Sequence, residues 1–272
     1  MKRVRLMCLL LSIIMLIPTV AFGASNTDEN LAITNQTDRI IRYIAAQNGL
    51  APDELKLVPI VSGTISSGIA KAANHSSSDQ YALEHVSIDA NGIITVTTII
   101  PLVEADDGSL VNSFSYVPSG GIRPMASLPV SDMTIELRSS YRQYPSAIKD
   151  TFHAYQLYNS SFRWTKSSSS TSSSKITYAK IHSCVAGQLY SNPSSGTPTL
   201  KNSNFSKERI KEVTNPGKSI WQYTPTVMSS SDGIVYCNDA INHGGWAYVD
   251  FKYLDAKGTS RGDDFSAWCF RK

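Results

Sequence analysis

Met133-Thr134-Ile135-Glu136-Leu137-Arg138 alternates apolar and polar side chains with a period of two. Successive side chains of a strand point to opposite faces, so such a run buries one face and wets the other. Comparable runs follow at 152–164, 176–190, 219–224, 233–240, 245–254 and 264–270. Turn signals separate them: Asn192-Pro193, Asn215-Pro216-Gly217, Ser231-Asp232-Gly233, Gly244-Gly245 and Lys257-Gly258. Short strands punctuated in this way predict an antiparallel sandwich or barrel over 131–272, of which we take the β-sandwich. The serine run 167–174 lies between two strand runs, buries no apolar area and reads as an exposed hairpin loop.

Working outward, residues 118–130 form a boundary. Pro118-Ser119-Gly120-Gly121-Ile122-Arg123-Pro124 has no periodicity and several breakers. All four Trp, and 20 of the 25 aromatic residues, lie beyond it, so the two sides differ in how they build a core. Before it, residues 24–117 read as a small acidic α+β region. A helix capped by Thr37 or Asp38 runs to about Asn48, with Ile40, Ile41 and Ile44 on one side and Asn48-Gly49 as its stop. A hairpin joins 81–89 to 93–100 through Asn91-Gly92, both free to take positive φ. Val86 and Ile88 alternate on its first strand.

Residues 1–23 carry the order of a removable secretory signal. Lys2, Arg3 and Arg5 precede an apolar run from Leu6 to Val20, and small residues follow, so cleavage after Gly23 or Ala24 is expected. No later run is long and apolar enough to predict a transmembrane helix. Cleavage would leave 22 basic and 22 acidic side chains, so the basic pI belongs to the signal. Residues 24–129 would then carry a net −6 and residues 130–272 a net +6. An acidic half before a cationic one admits two readings: opposite charges that help the halves pack, or a proprotein whose acidic segment is cut away, for instance after Arg123.

Cys184, Cys237 and Cys269 would remain after cleavage. They allow one disulfide in three pairings, of which Cys237–Cys269 is preferred, or three buried thiols. No motif names a reaction. The sharpest enzymatic candidate is a cysteine hydrolase with Cys184 as nucleophile, His243 as base and Asp239 or Asp250 as orienting carboxylate. Cys184 lies in a strand pattern, where no helix dipole lowers its pKa. The five histidines lack ligand spacing and no C-x-x-C occurs, so neither metal nor other cofactor is expected. Trp164 and Trp246 could offer ring faces to a glycan or a lipid headgroup, or fill the core. Arg261-Gly262-Asp263 matches an integrin-recognition tripeptide in an expected turn. The +6 charge is spread along the chain, which disfavours nucleic acid as a partner. The leading expectation is a secreted, non-enzymatic protein whose cationic β-domain binds an anionic cell surface, glycan or membrane as a toxin-like or antimicrobial effector. The hydrolase and an adhesive or structural module are the alternatives.

Overall fold

The computed structural model describes residues 35–60, 81–116, 130–144, 154–193, 197–237 and 243–270. Within them, helix α1 (35–48) precedes twelve strands in one antiparallel sheet. The strands are β1 (Lys56–Pro59), β2 (Tyr81–Ile88), β3 (Ile93–Glu104), β4 (Leu110–Asn112), β5 (Met133–Tyr144), β6 (Ala154–Lys166), β7 (Lys175–Tyr190), β8 (Leu200–Thr214), β9 (Gln222–Tyr223), β10 (Ile234–Tyr236), β11 (Gly244–Leu254) and β12 (Ser260–Phe270). Their lateral order is β1-β2-β3-β5-β6-β10-β7-β11-β12, with β4 on β3, β9 on β6 and β8 on β7.

Helix α1 forms where the apolar spacing predicts it but begins earlier, so Thr37 and Asp38 lie inside its first turn and do not cap it. Ile40, Ile44 and Ala45 bury against Leu55, Leu83 and Ile99, so the helix lies on the sheet at β2 and β3. Gly49 takes a φ of +68°, and the Leu50 N–H returns to the Ala45 carbonyl, ending the helix with a left-handed residue. The β2–β3 hairpin is formed in register, with Ile88 opposite Ile94 and Val86 opposite Val96. Its turn differs in detail from the expectation. Only Gly92 takes positive φ, and the Asp89 carboxylate holds the loop by accepting the N–H groups of Asn91 and Ile93. Val86 and Ile88 face solvent, 45% and 68% exposed, on the part of β2 beyond Glu84, where its pairing with β1 ends.

The 81–116 region and the strands after residue 130 share one sheet. β3 pairs with β5 from Ile93–Arg142 to Leu102–Met133. β5 and β6 contribute Ile135, Leu137, Phe162 and Trp164 to an apolar core. The same core holds Ile181 of β7, Val249 and Phe251 of β11, and Phe265 of β12. Each large side chain buried this way contributes about 1.5–3 kcal/mol.

β10 is the narrow join between these groups of strands. It pairs with Tyr155 and Ala154 on β6, and with Tyr190, Leu189 and Gln188 on β7. Two glycines flank the join. A Cβ at Gly187 would stand 2.5 Å from the Tyr236 carbonyl oxygen, and one at Gly233 would stand 2.0 Å from that of Tyr190. Both also take positive φ, which L side chains rarely adopt.

Three sequence expectations need correction. The serine run does not close a hairpin: β6 pairs with β5, β9 and β10, and β7 with β8, β10 and β11, so 167–174 crosses between strand groups. It is also anchored rather than loose. Ser167 and Ser174 are buried, Ser170 donates to Asp132 at 2.8 Å, and Ser172 and Ser174 donate to Glu104. Short hydroxyl side chains hold a crossing that no apolar residue occupies. Second, the preferred Cys237–Cys269 disulfide is not formed. Cys184, Cys237 and Cys269 are free, buried thiols, and Cys237 and Cys269 serve as small apolar residues of a second core cluster with Leu157, Val185 and Val235. Third, β8 was not anticipated. Its fifteen residues are almost all exposed, so no alternation of apolar side chains announces it.

Candidate functional site

β7, β8 and β11 turn one face away from the shared core. Register places His182 beside both Ile210 and Tyr248, and Cys184 beside both Glu208 and Trp246. Cross-strand partners share a face, so these side chains form one patch. Glu208 organises it. Its Oε1 accepts from His182 Nδ1 at 2.7 Å, from the Tyr248 hydroxyl at 3.3 Å and from the Cys184 thiol at 3.5 Å. Burial pulls the Glu208 carboxyl upward, yet the hydrogen bonds from His182, Cys184 and Tyr248 outweigh it and hold the group below its ordinary range. The Tyr248 ring stacks on His182 at 3.9 Å, and Asp250 lies 3.7 Å from His182 Nε2.

This geometry keeps the protons on Cys184 and Tyr248. Burial first, and then the neighbouring Glu208 charge, push the Cys184 thiol far up. A nucleophilic cysteine needs the opposite, a thiolate beside an imidazole base. The neighbour of Cys184 is a carboxylate. No hydrogen bond joins Cys184 to His243 among the described residues, where His243 Nδ1 is buried without a partner. Asp239 lies outside the described residues, as do Gly23, Ala24 and Arg123. No group of three or more His, Cys, Asp or Glu arranged to hold a metal ion occurs among the described residues.

The other sequence candidates are placed as follows. Trp164 is buried and donates its indole N–H to the Pro216 carbonyl at 2.9 Å. Trp246 takes the core position of its two readings: it is buried in β11, where Gly244 and Gly245 belong to the strand rather than to a loop. Neither ring presents an open face. Arg261-Gly262-Asp263 lies within β12, paired with Tyr253, Lys252 and Phe251, and not in a turn. Arg261 is engaged there by Asp255 at 2.8 Å and by the Asp107 carbonyl at 3.1 Å.

Two cationic features were not legible as sites. The first is β8, where Lys207, Arg209 and Lys211 fall opposite Val185, Ser183 and Ile181 and therefore share a face. Lys207 is paired with Asp232 at 3.2 Å. Among the described residues, Arg209 and Lys211 have no ion-pair partner. The second lies on β5 and β6, on the face that α1 covers further along. There Arg163 grips the buried Glu136 through two hydrogen bonds of 3.1 and 2.5 Å. Arg138 lies 3.9 Å over the Trp221 ring and Arg163 lies 4.6 Å from it. Both depend on strand register, which joins residues distant in sequence.

No protein-family model, curated protein or solved structure matches the chain.

Proposed function

We propose that this is a secreted, non-enzymatic protein that binds anionic cell surfaces through the cationic edge strand β8. The two groups of strands on either side of β10 would face each other as an antiparallel sandwich, with β8 overhanging its margin. The observation that carries the reading is β8 itself: a fifteen-residue strand, exposed nearly throughout, with Arg209 and Lys211 on one face. Cations held on a rigid strand lose little freedom on meeting an anionic surface, and their attraction reaches about 8–10 Å at physiological salt. The acidic first half stays in place in this proposal. Removing residues 24–117 would strip α1 from the sheet and unpair the whole β3 edge of β5.

The hydrolase reading has less support, because burial and the Glu208 charge hold the Cys184 proton in place. The adhesive reading lacks the exposed turn such a tripeptide requires. Co-sedimentation with phosphatidylserine vesicles and with intact cells, at low and at high salt, tests the proposal. Binding at low ionic strength should weaken as salt is raised, and the double variant Arg209→Ala with Lys211→Ala should bind more weakly. No binding at low ionic strength to either target would refute it.

A further inference from the structure

Four side chains line up across the sheet beside the Glu136–Arg163 pair. Register sets Thr97 beside Arg138, Arg138 beside Ser161, and Ser161 beside Tyr223. Arg163 has its charge met by Glu136. Arg138 does not: among the described residues no carboxylate lies within 4.0 Å of it. Its Nε reaches Thr97 Oγ1 at 3.3 Å, and its guanidinium rests on Trp221. Glu136 acts on it only at a distance and without contact, and burial outweighs that attraction and draws the Arg138 pKa down.

Ser161 supplies an independent observation. It is 1% exposed, and its Oγ has no hydrogen-bond partner among the described residues. Buried hydroxyls are normally satisfied, so an orphan next to a guanidinium that has no contact ion pair marks a place where a polar group belongs. Beside the pair, Tyr223 is 51% exposed, an aromatic surface open to solvent.

We propose that Arg138, Ser161 and Tyr223 form a binding site for the carboxylate of an acidic sugar. It rests on the anionic-surface reading above and names what on that surface is recognised. The planar guanidinium fork takes a planar carboxylate through two hydrogen bonds. Ser161 bonds a carboxylate oxygen or a ring hydroxyl, and the sugar ring lies against Tyr223. One free guanidinium matches a single negative charge. A phosphate dianion would be half neutralised, because Arg163 is committed to Glu136.

Calorimetric titration at low salt tests this with polygalacturonate, its fully methyl-esterified form and dextran sulfate. The wild-type protein should bind the free acid in preference to both others. Arg138→Met should weaken that binding by about tenfold or more, the loss expected for charge-assisted hydrogen bonds. Arg138→Lys should lose nearly as much, since it keeps the charge without the fork. Near-UV circular dichroism should show both variants folded. The Arg209→Ala, Lys211→Ala variant should reduce the salt-dependent part while keeping the preference for the free acid. Equal binding of the ester, preference for the sulfate, or unchanged affinity in Arg138→Met overturns the site. If Arg138→Met is unchanged while the β8 variant loses binding, the site falls and the anionic-surface reading stands.

Discussion

Asp255 follows the last residue of β11, and its carboxylate builds the turn into β12. Oδ1 accepts the N–H groups of Lys257 at 2.9 Å and Thr259 at 2.7 Å, while Oδ2 accepts from Arg261 Nε at 2.8 Å. The Arg261 hydrogen bond, above all, holds this carboxyl below its ordinary 3.8. A depressed folded-state pKa stabilises the fold above the unfolded value, and that share is lost as pH falls through the folded one. The wild-type urea midpoint should therefore drop between about pH 5 and about pH 2. Asp255→Asn should start lower at neutral pH and fall less steeply over the same range. Parallel curves would show that the Asp255 charge plays no part. Lys257-Gly258 announced a turn in the sequence, and Asp89 builds its turn in the same way. Glu208 is the contrary case: the patch it organises joins β8 to β7 and β11, and nothing local to residue 208 points to His182 or Tyr248.

At the scale of the element, β8 poses a problem that its charges solve. An exposed edge strand of fifteen residues is a template for pairing with another copy. Two copies related by a twofold axis pair antiparallel with odd positions opposite odd and even opposite even. Centred on Arg209, that residue faces its own copy and Lys207 faces Lys211; centred on Ile210, Arg209 faces Lys211 and Glu208 faces Glu212. Like charges directly opposite each other cost about 0.2–1 kcal/mol per pair. Replacing Arg209 and Lys211 by Val should let copies join edge to edge. Size-exclusion chromatography and light scattering should then show concentration-dependent dimers or larger species, with the wild type monomeric under the same conditions. A variant that stays monomeric would mean that some other feature guards this edge. The strands β5, β6, β7, β11 and β12 were legible because each buries one face, which imposes the two-residue period on the sequence. β8 buries neither face, so its pattern is one of charge, and charge is compatible with a loop.

For the whole molecule, composition and pairing divide the chain differently. The shift in charge and aromatic content near 118–130 is real in the sequence, yet the longest strand of the first part pairs with the first strand of the second. Composition is a local property and register is not, so the seam between β3 and β5 could not be read in advance. Protein cleaved after Arg123 should therefore stay together. Its two fragments should co-elute as one folded species in native buffer and separate in denaturant. Fragments that part without denaturant would make 24–117 a detachable segment and revive the proprotein reading. The shared core and the β3–β5 seam hold a large area, whereas the hydrogen-bonded continuity of the sheet passes through three residues of β10.

The glycines beside that strand give the molecule an uneven tolerance of change. A single methyl group at Gly187 or Gly233 would drive a wedge between β10 and the main chain it must touch. Most of the surface can drift in composition over generations, but these two positions admit one kind of residue. The waist is thus where inheritance has the least room to improvise.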